Sequence, residues 1–157
     1  MFGGFLMMEK NENNGDKFKI KSWRIETEHI DLTNNFLTGH GFKIMPTFER
    51  KTGRLSDKEF FTSINANIKN TSENPFPLEI SVCVRAIFQI ESNDGCEKEI
   101  ESFLKKQAIH ILFPYLRVAI TGLTNIAMVP PVVLPIVDAF RLFPDDEEGQ
   151  KNLDETK

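Results

Sequence analysis

Cysteine is scarce in this chain of 157 residues. Only Cys83 and Cys96 occur, too few for a disulfide framework and not spaced as a metal-binding pair. Histidine is nearly as sparse: His29, His40 and His110 lie far apart, none with a second ligand at metal spacing. There is no HExxH or DxDxDG pattern, no glycine loop of the phosphate-cradling kind and no GxSxG nucleophile elbow. These absences argue against metal, nucleotide and nucleophile chemistry, and no cofactor or enzymatic activity is expected. The body also lacks an excess of either charge. Residues 1–144 hold 17 Lys/Arg and 17 Asp/Glu, while residues 145–157 hold six acids and two lysines, so the whole net charge of −4 lies in the tail. A neutral body without a basic stripe argues against nucleic acid as the main partner, because counterion release needs clustered cations.

What the chain has instead is phenylalanine, 14 copies against one Trp and one Tyr. Its length suits one domain with a real core: a lead-in over residues 1–16, a domain over 17–144 and an acidic, solvated tail over 145–157. Met1 to Met8 is apolar but short, without a basic n-region or a small-residue cleavage site. It is therefore not read as a signal peptide, and a cytoplasmic protein is expected.

Period-two patterns dominate the first half. Phe18 and Ile20 alternate with lysines, then the apolar parity changes before Trp23 and Ile25, which predicts a β-bulge or two short strands. Phe42, Ile44, Pro46 and Phe48 suggest a second strand, at a sheet edge because of the proline, with Lys51–Arg54 as a turn. Phe60 to Ile68 reads as a third. The fourth is clearest: Leu78, Ile80, Val82, Val84, Ala86, Phe88 and Ile90 take every even position, the signature of a half-exposed antiparallel strand.

After Gly95 the period becomes helical. Ile100, Leu104, Ala108, Ile111, Tyr115, Val118 and Gly122 fall on one stripe, and Ile109, Leu112, Phe113, Leu116 and Ile120 fill much of the rest. A helix apolar nearly all round needs cover on two sides. The sheet supplies one, so the second set is expected at a subunit interface. Pro114 should kink the helix. Val118 to Val137 carries no charge, long enough for a membrane span, but Pro130, Pro131 and Pro135 would strand backbone groups in lipid. The better reading ends the helix near Asn125, runs an extended apolar arm over 126–137, and adds a short helix around Asp138–Leu142. Glu97, Glu99 and Glu101 complement the positive end of the long helix. Gly39–Phe42 could be read as a catalytic histidine in an acyl-thioester hydrolase, but no carboxylate or nucleophile is placed to assist His40.

Ile111–Arg117 (ILFPYLR) and Val129–Asp138 (VPPVVLPIVD) resemble the SecB family of export chaperones and its SecB-like relatives. There a long helix carries LFPYAR and is followed by a proline-rich loop. The four-strand sheet before the helix agrees in order and size, and the likeness covers roughly residues 18–144. The resemblance implies an α+β fold: a four-stranded antiparallel sheet, a long kinked helix and a short C-terminal helix. It also implies a homotetramer, a dimer of dimers, acting as an ATP-independent holdase for non-native polypeptides and passing preproteins to SecA. Client-groove residues carried over from the family are Trp23, Phe36, Leu37, Ile126, Met128, Val132 and Leu134. The family docks SecA on the sheet face and the C-terminal tail, here Asp145, Asp146, Glu147 and Glu148. His29 and Thr33 stand where SecB carries acids, which weakens sheet docking and suits a relative that guards an antitoxin. An alternative of another class is a carrier or acyl-processing domain enclosing a small apolar ligand.

Overall fold

The computed structural model describes residues 18–136, 138 and 141–143. Four strands, β1 (Phe18–Asn34), β2 (Thr47–Arg54), β3 (Glu59–Ile68) and β4 (Leu78–Ser92), form one antiparallel sheet in the order β1-β4-β3-β2. Helices α1 (Glu97–Lys105) and α2 (Gln107–Ile126) then cross one face. This is the α+β arrangement expected from the sequence.

Why β4 takes the centre is plain from its pattern. All seven even-numbered residues from Leu78 to Ile90 are at most 4% exposed, and they meet α1 and α2. The odd-numbered side carries Glu79, Arg85, Gln89 and Glu91 to the outer face. β1 is one long strand with register shifts between Ile20 and Ser22 and between Thr27 and His29. The first of these is the change of parity seen in the sequence, and the bulge keeps Ile20, Trp23 and Ile25 on the helix side.

The second strand differs from expectation. Phe42 and Ile44 pack against the core without joining the ladder. Pairing starts only at Thr47, after Pro46, which has no N–H to give. Lys51–Arg54 is strand and not a turn; the chain reverses instead at Leu55–Lys58, where the Leu55 and Ser56 N–H groups both donate to Glu59 O. Gly53 is there for a different reason from turning. It pairs with Phe61, and a Cβ on it would stand 2.7 Å from the Phe61 ring. The ring lies where a side chain would have been.

The helix bends at Lys106, eight residues before the expected proline kink. Two side chains from the sheet take the carbonyls at the break: Thr62 Oγ1 donates to Leu104 O at 2.8 Å and Arg50 Nη1 to Lys105 O at 2.9 Å. Thr62 is wholly buried, so this partner is what lets its hydroxyl sit in the core. Pro114 lies within α2 without ending it. It and His110 are on the exposed side, so the missing N–H leaves no buried acceptor stranded.

The bend also sets which side of α2 faces the sheet. Ile109, Leu112, Phe113, Leu116 and Ile120, expected at a subunit interface, are 0–4% exposed within one chain. They are core residues. Their spacing is itself a helical stripe, and after Lys106 that stripe turns onto β3 and β4. Val118 turns outward instead. Residues 139 and 140 of the expected short helix at Asp138–Leu142 lie outside those described; across them the Arg141 N–H donates to Asp138 O. The N-terminal lead-in and the acidic tail also lie outside the described residues.

Candidate functional site

The end of α2 is built from hydrogen-bonding chemistry that hydropathy does not reveal. The Val129 N–H reaches Thr124 O at 3.2 Å and the Met128 N–H reaches Asn125 O at 3.2 Å. This pair of bonds is a Schellman motif, with Met128 at the position that glycine usually fills. Its φ is +56°, and Met128 is 94% exposed. Holding a side chain with a Cβ in the left-handed region costs roughly 1–2 kcal/mol.

The arm then doubles back along α2. Arg117, the one charge between Gln107 and Val137, donates from Nε to Leu134 O at 3.1 Å. Thr121 Oγ1 donates to Val132 O at 3.0 Å, and the Val132 N–H donates to Thr124 Oγ1 at 3.1 Å. Three polar residues on an apolar helix thus satisfy the backbone of an extended segment that has no strand partner. The pleat follows from these bonds. Val132 and Leu134 turn inward, at 5% and 0% exposure, while Val133 and Ile136 turn outward, at 52% and 85%.

A second surface element is the crossover between β1 and β2. The Asn35 N–H donates to Pro77 O at 2.8 Å, and the Phe42 ring meets Phe76 edge-on with centroids 6.4 Å apart. Phe36 has φ +54°, is 83% exposed, and its N–H is held by Asn34 Oδ1 at 2.8 Å. Beside it, Leu37 is also exposed. Both elements lie toward one end of the sheet. Phe18 of β1 meets Phe103 of α1 and Trp23 meets Tyr115 of α2, so the chain advances from α1 into α2 in the sense of β1. Beyond Trp23, β1 continues for about 35 Å, and beyond Tyr115 α2 continues for about 17 Å.

The seven groove residues carried over from the family therefore divide. Phe36, Leu37, Ile126 and Met128 are exposed. Trp23, Val132 and Leu134 are buried, which corrects their placement on a binding surface. Trp23 lies on the inner face of β1 against Tyr115, at a centroid distance of 6.1 Å, and the two arm residues are turned in by the bonds to Thr121, Thr124 and Arg117. Sequence reasoning missed Val133 and Ile136, although the pleat of the arm would have separated them from their neighbours.

The outer sheet face is of another kind. Arg85 bridges Glu26 at 2.9 Å and Glu28 at 3.0 Å; Arg24 bridges Glu26 at 2.9 Å and Glu59 at 3.5 Å. Hydrogen bonds from Arg85 and Arg24 hold the Glu26 carboxyl below the usual carboxylate range. The Cys83 thiol donates to Glu28 at 3.3 Å, and burial, with that bond second, pushes its pKa up to about 11. Among the described residues no cluster of His, Cys, Asp or Glu could hold a metal ion.

A sheet of order β1-β4-β3-β2 crossed by one long bent helix agrees with known families. The family model described as preprotein translocase subunit SecB matches residues 28–150. The chain belongs to the SecB family. Among solved structures, a SecB-like chaperone of Mycobacterium tuberculosis, in complex with a ChAD peptide from the HigA1 antitoxin, has the same fold. It is 17% identical, with a TM-score of 0.57, and the match covers 77% of this chain and 91% of that one. No curated protein matches the chain by sequence. In the SecB family frame, the residues 111–117 that carry the resemblance fall within α2, and the proline-rich segment is the arm tied to it.

Proposed function

We propose that this chain is an ATP-independent holdase that keeps non-native polypeptides from aggregating. Membership of the SecB family and a SecB-like chaperone as structural neighbour support a chaperone role. The observation that carries the reading is the uncharged apolar surface beyond the α2 bend. Val118, Ile126, Met128, Val133 and Ile136 are between 52% and 94% exposed, and no charge occurs from Val118 to Val137. Exposed apolar segments of an unfolded chain would bury area here at about 25 cal/mol per Å².

Phe36, Leu37, Ile126 and Met128 are the proposed client contacts, joined by Val133 and Ile136. The outward side of α2, with Val118, is the proposed face for assembly into a cytoplasmic tetramer, a dimer of dimers. Several client surfaces in one assembly raise effective concentration. Preproteins bound for SecA are the first client class, with Asp145, Asp146, Glu147 and Glu148 of the tail as the docking element. An antitoxin is the second, favoured by the peptide bound to the structural neighbour. An enclosed apolar-ligand carrier is disfavoured: Val82, Val84, Phe88, Leu112 and Leu116, at 0–2% exposure, fill the space between sheet and helix.

The test is light scattering of a chemically denatured protein diluted into buffer with one equivalent of assembled chaperone. Aggregation should be suppressed without ATP; unchanged scattering refutes the holdase reading. Multi-angle scattering of the chaperone alone should give the mass of four chains.

A further inference from the structure

The last residue described before the acidic tail rests on a cation. Phe143 packs against the core, and the Arg50 guanidinium lies over its ring, 4.8 Å from the centroid. The tail therefore leaves the body beside Arg50, and its acids begin directly after Pro144. Arg50 is also part of the helix bend. Its Nη1 donates to Lys105 O at 2.9 Å, which makes Lys105 and Lys106 its neighbours. Lys105 is paired with Glu101 at 2.8 Å. Lys106 is exposed and has no ion pair among the described residues. The start of α2 adds to this positive field. Lys106 is its N-cap, no side chain caps it, and its first turn carries no acid, whereas α1 opens with Glu97 and Glu99. A helix N-terminus favours negative charge, and here it is given a cation.

We infer that Asp145, Asp146, Glu147 and Glu148 dock on their own chain against Arg50 and Lys106, strapping the C-terminus across the helix bend. The reach suffices. An extended chain spans about 3.6 Å per residue, so Asp145 lies within about 7 Å of Phe143 and Glu148 within about 18 Å. A guanidinium can serve a carbonyl, an aromatic face and a carboxylate together. Tethering supplies the rest: anchored at Phe143, the acids meet the bend at high effective concentration, and surface pairs too weak to hold a free peptide hold the tail. The docking does not depend on the holdase reading, but it bears on the tail's other use. A basic partner that takes these acids must compete with Arg50 and Lys106, and salt shifts the balance.

The experiment uses the full chain and a carbodiimide, which condenses a carboxylate with a lysine amine in contact with it. Isotope-labelled and unlabelled chains are unfolded and refolded together before crosslinking, and the products are read by mass spectrometry. At low salt Lys106 should be joined to the 145–148 segment within chains of one label, with a yield about threefold lower in about 0.5 M NaCl. Removing residues 145–157 should lower the unfolding temperature by about 2 °C at low salt and leave it unchanged at high salt. In Lys106→Glu the same removal should not lower it, because the tail then meets an acid. Absence of the Lys106 product overturns the inference, as do tail products of mixed label, which would place the tail on a second copy. A stability loss that is equal at both salt concentrations, or equal in parent and Lys106→Glu, overturns it as well.

Discussion

Both sides of α2 carry large apolar side chains, in opposite situations. Leu112, Leu116 and Ile120 face the sheet at zero exposure, while Val118 and Ile126 face away at 72% and 80%, and Tyr115, at 37%, borders the sheet against Trp23. A single chain has one sheet to offer, so the helix holds more apolar surface than its own fold can cover. The inward side therefore sets stability, and the outward side is the one proposed above for contacts with other chains.

Substitutions on the two sides should separate these roles. The largest effect on stability is expected from Leu116→Ala, which deletes a fully buried side chain between helix and sheet and should cost about 2–5 kcal/mol in urea unfolding. Thr62→Val should follow. It leaves Leu104 O at the helix bend without its buried donor, at about 1–3 kcal/mol. A Thr62→Val variant as stable as the parent would show that the bend does not depend on that bond.

Much of the fold was legible because its signals are local. The seven even-numbered apolar residues of β4 announced a half-exposed antiparallel strand, and the parity change before Trp23 announced a bulge or a break between two short strands. The sidedness of α2 was not legible, since period alone cannot choose between two apolar stripes. The choice is made by the bend at Lys106, and the bend is held by Thr62 and Arg50, 42 and 55 residues away from the carbonyls they bind. Gly53 misled for a related reason: the Phe61 ring it accommodates belongs to the neighbouring strand. The family resemblance supplied Phe36, Leu37, Ile126 and Met128, and all four side chains are exposed. The inward turn of Val132 and Leu134 depends on threonine side chains that an apolarity pattern treats as noise.

Smaller effects belong to the outer sheet face. Glu26→Gln should cost about 0.2–1 kcal/mol at neutral pH, since its partners are part-exposed and screened. Because the folded-state pKa of Glu26 is lowered, its contribution is complete above the ordinary carboxylate range. It is lost as pH falls through the lowered value. Parent and variant should therefore converge in stability in acid; a gap that widens there contradicts the assignment. Smallest on the fold is Val118→Asp, at 72% exposure. It should leave urea unfolding of the single chain within about 0.5 kcal/mol, while light scattering shows smaller assemblies than the parent forms.

Burial of Cys83, with its bond to Glu28 second, lowers the reactivity of the thiol. A thiol with a pKa of about 11 carries about one part in ten thousand thiolate at pH 7, and Cys96 is only 5% exposed. With no other cysteine in the chain, the native thiols should react slowly with maleimides and peroxide. The substitution Met128→Cys would then supply the fast-reacting group, and a client crosslinked there could be mapped without removing either natural cysteine.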